Sequence, residues 1–161
     1  QKMLVQNNFL YNKDFVKIYY YITEEKFPWY MCKDLDSFKL THPLVKNINN
    51  KKISSLHAPK ILSPLLKKIG VADVVWAKLD CYLKTKEILN YDAEELTEES
   101  DQNFIGFLFM NTNNSSIEIL NENKTEAKEN KFMCFKKNIP YFQTSHTDVD
   151  KKIVLSLEYS I

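Results

Sequence analysis

VVWAKLDCYL (74–83) and GFLFMNTNN (106–114) decide how this chain is read. Val74 to Leu83 is apolar and β-branched with polar residues interleaved, which predicts a strand. Phe104 to Met110 is almost wholly apolar, the pattern of a strand buried on both faces. Working outward, Ser116 to Leu120, Lys131 to Phe135 and Ile153 to Tyr159 read as further strands, with a turn over Thr112 to Ser115. Upstream, Lys2 to Leu10 reads as a short strand running into the Asn7-Asn8 turn. Asn12 is an expected N-cap, and Phe15, Ile18, Tyr19 and Ile22 fall on one helical stripe that should end near Glu25, ahead of Pro28. Residues 27–31 are aromatic and extended, a polar stretch runs to Leu40, and 41–55 reads as a loop or hairpin. Pro59 and Pro64 bracket the start of a second helix with Leu62, Leu65, Leu66 and Ile69 on its apolar face and Gly70 at C′. A mixed first half and a run of strands in the second predict a mainly β (α+β) sandwich or barrel with helices on one side.

Composition narrows the function classes. The 161 residues contain 22 basic and 21 acidic side chains, so nothing favours nucleic acid or an anionic membrane. All the basic residues are lysine, which removes any bidentate guanidinium clamp for a carboxylate or phosphate. Gly70 and Gly106 are the only glycines, where ordinary usage of ~7% would give about eleven; with abundant Lys, Asn and Ile, that is the usage of an AT-rich genome. Cys32, Cys81 and Cys134 are dispersed and odd in number, and read as reduced thiols. No signal peptide and no run of 18 apolar residues is visible, so the expected setting is neither secreted nor transmembrane.

Several segments carry a resemblance in order along the chain. NNFLYNKDF (7–15), FPWY (27–30), FKLTH (38–42), VVWAKLDCYL (74–83), GFLFMNTNN (106–114), ENKFMCF (129–135) and TDVDKKIVLSLEY (147–159) resemble small phage-type 2-oxoglutarate/Fe(II)-dependent oxygenases of the prolyl-hydroxylase-like type. The resemblance implies one jelly-roll domain over 1–161, a double-stranded β-helix with two supporting N-terminal helices. In active members a His-x-Asp/Glu…His triad holds Fe(II), and a basic residue near the end binds the far carboxylate of 2-oxoglutarate.

The chemistry-bearing positions depart from that pattern. Alignment through the Val74–Leu83 strand puts Glu94-Glu95-Leu96 at the His-x-Asp motif, so the first ligand position holds Glu94 and the second Leu96. The distal histidine position holds Tyr141, and the basic partner falls at Lys152. No catalytic residue and no metal site is expected, and both Fe(II) and 2-oxoglutarate are expected to be lost. His146-Thr147-Asp148 spells H-x-D, but no histidine follows it, and Asp148 reads as a turn-former. His42 matches a family histidine outside the metal site and reads as structural; His57 reads as a solvated surface residue. The acidic run from Asp92 to Asp101 reads as a solvated loop. Most aromatic residues, Trp29 and Trp76 included, are expected in the core, with Tyr82 and Tyr141 pointing into the old site. The resulting expectation is an inactive oxygenase fold used for structure or partner binding, as a phage virion or assembly component in host cytoplasm or virion, with a protein partner or homo-oligomer. The alternatives are a hydroxylase with an altered metal site and a metal-free small-ligand binder.

Overall fold

The computed structural model describes residues 3–32, 39–91, 102–120 and 122–161. In chain order the elements are β1 (Met3–Gln6), α1 (Asn12–Thr23), β2 (Tyr30–Met31), β3 (Lys39–Ile48), β4 (Lys51–Ser54), α2 (Ala58–Ile69), β5 (Asp73–Leu83), β6 (Asn90–Tyr91), β7 (Phe104–Phe109), β8 (Ser116–Ile119), β9 (Lys124–Glu126), β10 (Lys131–Lys136), β11 (Tyr141–Thr144) and β12 (Lys151–Ser160). They form an 8-stranded sheet ordered β1-β10-β7-β12-β5-β3-β2, with β4 on β3, and a 4-stranded sheet ordered β6-β11-β8-β9. Pairing is antiparallel throughout both sheets.

The long strands explain why one sheet serves two cores. Along β12 side chains alternate between faces. Ile153, Leu155, Leu157 and Tyr159 join Ile18, Ile22, Ile61 and Leu65 of the helices. Val154, on the opposite face, joins Phe107, Phe109, Ile117, Met133 and Phe135 between the two sheets. That second layer is the interior of a double-stranded β-helix. Gly106 of β7 faces the helix-side core instead: a Cβ there would lie 2.9 Å from the Phe132 ring and 3.2 Å from Leu157.

Local chemistry sets the ends of elements, and two expectations change, while 41–55 resolves to the hairpin of its two alternatives. Asn12 is the first helical residue rather than the cap; Tyr11 takes the cap position, and no side chain caps it. Pro64 lies inside α2, a full turn past its start, while Pro59 is in the first turn, where its missing N–H costs nothing. Residues 41–55 form the β3–β4 hairpin, turned by Asn49 and Asn50, both at positive φ. Gly70 closes α2 in the left-handed conformation (φ 79°) and donates its N–H to the Leu66 carbonyl, as its position predicts. The cysteines are free. Among the described residues no helix is long and apolar enough to cross a membrane.

Candidate functional site inside the double sheet

The period of two that sends Val154 inward also turns Lys152 and Ser156 of β12 to that face, opposite Lys78, Asp80 and Tyr82 of β5. Lys39 of β3 pairs with Tyr82, and Tyr141 and Gln143 of β11 enter from the small sheet. Together with Trp76 and Phe107 these residues, Lys152 excepted, enclose a cavity of about 40 Å³.

Its electrostatics are lopsided. Asp80 is 2% exposed, with Oδ2 3.6 Å from Lys78 Nζ and 4.0 Å from Lys39 Nζ; Oδ1 has no hydrogen-bond partner. Lys152 is equally buried. Its ammonium donates to the Thr144 carbonyl at 3.4 Å and stands 5.1 Å above the Tyr82 ring. Lys39 approaches the same ring at 5.6 Å. Burial pushes the Lys152 amine down to about 8, with the Asp80 carboxylate opposing that shift. Three ammonium groups thus face one carboxylate among the described residues, an arrangement suited to an anion rather than a cation. Deeper toward the end of β12, Lys137 Nζ and Glu158 Oε1 form a separate ion pair at 2.6 Å.

The positions read from sequence divide. Tyr141, Tyr82 and Lys152 do come together in this interior. Tyr141 packs 5.0 Å from the Phe135 ring and 5.7 Å from Phe107, so its ring is part of the wall. Glu94 and Leu96 lie outside the described residues, as does the acidic run from Asp92 to Asp101. Gln143 was not singled out from sequence. Its register opposite Tyr91 and its place two residues after Tyr141 put it on the same inward face. The alternation in Tyr141–Thr144 is too short to be read as a strand without its neighbours.

The H-x-D triplet makes contacts between loops. Asp148 Oδ1 accepts from the Asn114 backbone N–H at 3.1 Å, and Thr147 exchanges hydrogen bonds with the Asn114 side chain, which fastens two loops. His146 is fully buried against the turn that precedes β12. Burial and the nearby Lys152 charge push its pKa down, opposed by Asp148 and the backbone of Val149 and Asp150. His42 is held at both ring nitrogens: Nδ1 meets the Pro28 carbonyl oxygen at 2.7 Å and Nε2 the Ser55 hydroxyl at 2.8 Å. Burial lowers its pKa, against the Pro28 bond and with help from His57. His57 is not the solvated residue expected. It is half-buried, with Nδ1 hydrogen-bonded to the Tyr21 hydroxyl.

Of the three positions aligned with the triad, only Tyr141 is among the described residues, and its phenol is not equivalent to the imidazole expected there. The described inward positions offer a phenol packed among aromatic rings, an amide, and a carboxylate neighboured by lysines. No three His, Cys, Asp or Glu side chains converge among the described residues. The cavity is also far below the ~300–1,000 Å³ of ordinary small-molecule sites.

No family model matches the chain, and no curated protein matches it. Solved structures do. A Pseudomonas putida prolyl-4-hydroxylase superposes with a TM-score of 0.70 at 8% identity, covering 99% of this chain and 92% of that one. A 2OG-Fe(II) oxygenase family oxidoreductase from Burkholderia pseudomallei gives 0.67 at 7% identity, covering 99% and 84%. A Trichoplax adhaerens prolyl hydroxylase, solved with a hypoxia inducible factor peptide fragment, gives 0.66 at 10%, covering 99% and 83%. At these identities the likeness is one of fold: the chain is built as the double-stranded β-helix of the 2-oxoglutarate- and Fe(II)-dependent oxygenases.

Proposed function

We propose that this chain is an oxygenase fold that no longer performs metal chemistry and serves as a structural or partner-binding component. The observation that carries this reading is Tyr141: at the position aligned with the distal histidine, its ring is built into the Phe107–Phe135 wall. Leu96, aligned with a second ligand, has no donor atom at all. A phage virion or assembly setting agrees with the ordered segment resemblance and the all-lysine, AT-rich composition. The outer edge of β1, where Leu4 and Val5 are exposed, is a place where another chain could add. Cross-linking and native mass spectrometry on material from its source should find it particle-bound or oligomeric, through an interface of at least ~1,000 Å². Glu94→Ala and Lys152→Ala should leave that assembly intact. A free monomer that consumes O₂ with 2-oxoglutarate, and stops doing so as Glu94→Ala, would replace this reading with an altered-site hydroxylase.

One observation favours a second reading, a metal-free binder of small anions. Lys152 is a buried ammonium without a carboxylate within salt-bridge distance among the described residues, beside an excess of positive charge. Millimolar 2-oxoglutarate or a smaller dicarboxylate should then raise the melting temperature as RT ln(1 + [L]/Kd), and Lys152→Ala should abolish the shift. The first reading expects no shift.

A further inference from the structure

Away from the double-sheet interior, Pro28, Tyr30, Thr41, His42, Ser55 and His57 line part of a groove of about 600 Å³ between β2, the β3–β4 hairpin and the start of α2. That volume lies in the ordinary range for small-molecule sites. Met31, Ile53 and Leu56 give it apolar walls; Leu56 is 96% exposed. Lys46 contributes a cation.

At its floor the hydrogen bonds run in one direction. The Pro28 carbonyl can only accept, so His42 Nδ1, 2.7 Å away, carries the proton. In the neutral ring Nε2 is then a bare lone pair, and it takes the Ser55 hydroxyl proton at 2.8 Å. Phe27, with its centroid 4.6 Å from the His42 ring, and Tyr30, stacked at 5.8 Å, hold the imidazole plane. Hydroxyl, imidazole and orienting carbonyl are the three parts of an activated serine, with a backbone carbonyl in the orienting place. We propose that this groove is a serine acyl-hydrolase site for esters or thioesters with an apolar acyl group, with Ser55 as nucleophile and His42 as general base.

The remaining group for such a reaction is an oxyanion donor. His57 lines the groove with Nδ1 against the Tyr21 hydroxyl. With the phenol donating, the imidazole proton sits on Nε2, and in the proposed site that N–H is the donor; the His57 backbone N–H also donates to Ser55 Oγ at 3.1 Å. In the reaction Ser55 Oγ bonds to the substrate carbonyl carbon as its proton passes to His42 Nε2. The carbon–leaving-group bond breaks, and the leaving oxygen or sulfur takes the proton from Nε2. Water then attacks the acyl-serine, delivers its proton through Nε2 to Ser55 Oγ, and the carboxylic acid departs.

A fluorophosphonate probe on the intact chain tests this, read by whole-protein mass and peptide mapping, together with release of p-nitrophenol from p-nitrophenyl butyrate. The expected result is a single adduct on Ser55, with ester turnover abolished in Ser55→Ala. Labelling should slow at least about 100-fold in His42→Gln, the usual worth of a positioned base. Circular dichroism establishes that each variant is folded. Because loss of the Ser55–His42 bond could loosen α2, Ser55→Cys provides a second arm: a thiol there should react with iodoacetamide much faster in the His42 background than with His42→Gln. Folded wild-type protein that stays unlabelled at Ser55 in millimolar probe overturns the proposal, as does unchanged ester hydrolysis in Ser55→Ala. Either result would leave the Ser55–His42 bond as a fastening between β3 and the turn that leads into α2.

Discussion

A lysine buried as deeply as Lys152 is a cost that the fold must carry. Its amine falls from 10.5 in the unfolded chain to about 8 when folded. Below pH 8 both states are charged and the whole penalty is present, about 3 kcal/mol for a shift of that size. Between pH 8 and 10.5 the unfolded chain holds the proton that the folded chain has released, so stability rises with pH across that window. Lys152→Met should therefore stabilise the protein by about 2–3 kcal/mol at pH 7 in denaturant titrations and flatten the alkaline rise. Destabilisation instead would mean that the ammonium is well paired in solution. The buried histidines act at the other end. His42 and His146 are both held below their ordinary pKa, chiefly by burial. Unfolded histidine binds protons near pH 6.5, so stability should fall as pH drops below that value. In His146→Leu that acid loss should shrink, because a buried ring that resists protonation is removed. Tyr141 and Lys152 could be placed in the interior from sequence only through the ordered resemblance, which aligned them with site positions. The pairing of Lys39 and Lys78 with Asp80 could not, because it depends on β3 lying beside β5.

Elements with a long apolar signal were legible; short polar ones were not. β5, β7, β10 and β12 are close to the stretches their side chains predict. β9 (Lys124–Glu126) and β11 (Tyr141–Thr144) carry no alternation long enough to detect, and they are strands because β8 offers them an edge. The helices were legible by stripe, and their ends only where a special residue marks them. Gly70 is such a marker: its φ of 79° has open space around it, so only backbone strain opposes a side chain. Gly70→Ala should cost about 1 kcal/mol. Gly106 differs, because its added methyl would strike the Phe132 ring. Gly106→Ala should cost about 1–3 kcal/mol through overpacking. Thermal melting of the pair separates strain from crowding: Gly106→Ala with Phe132→Leu should recover part of its loss, whereas Gly70→Ala with Phe132→Leu should show the two losses added.

For the molecule as a whole, the fold was legible because many weak segments occur in one order, and solved structures covering 99% of the chain share that architecture. What an architecture does is decided by its site. Here the oxygenase interior is walled by Tyr141, Phe107 and Phe135 and charged by lysines around Asp80. Iron binding is therefore the deciding property. The protein should be loaded anaerobically with Fe(II), desalted and assayed for iron, with a parallel calorimetric titration. The proposed loss of the triad predicts well under one equivalent of retained iron and no saturating heat at a one-to-one ratio. A tight one-to-one Fe(II) site, lost in Glu94→Ala, would contradict it.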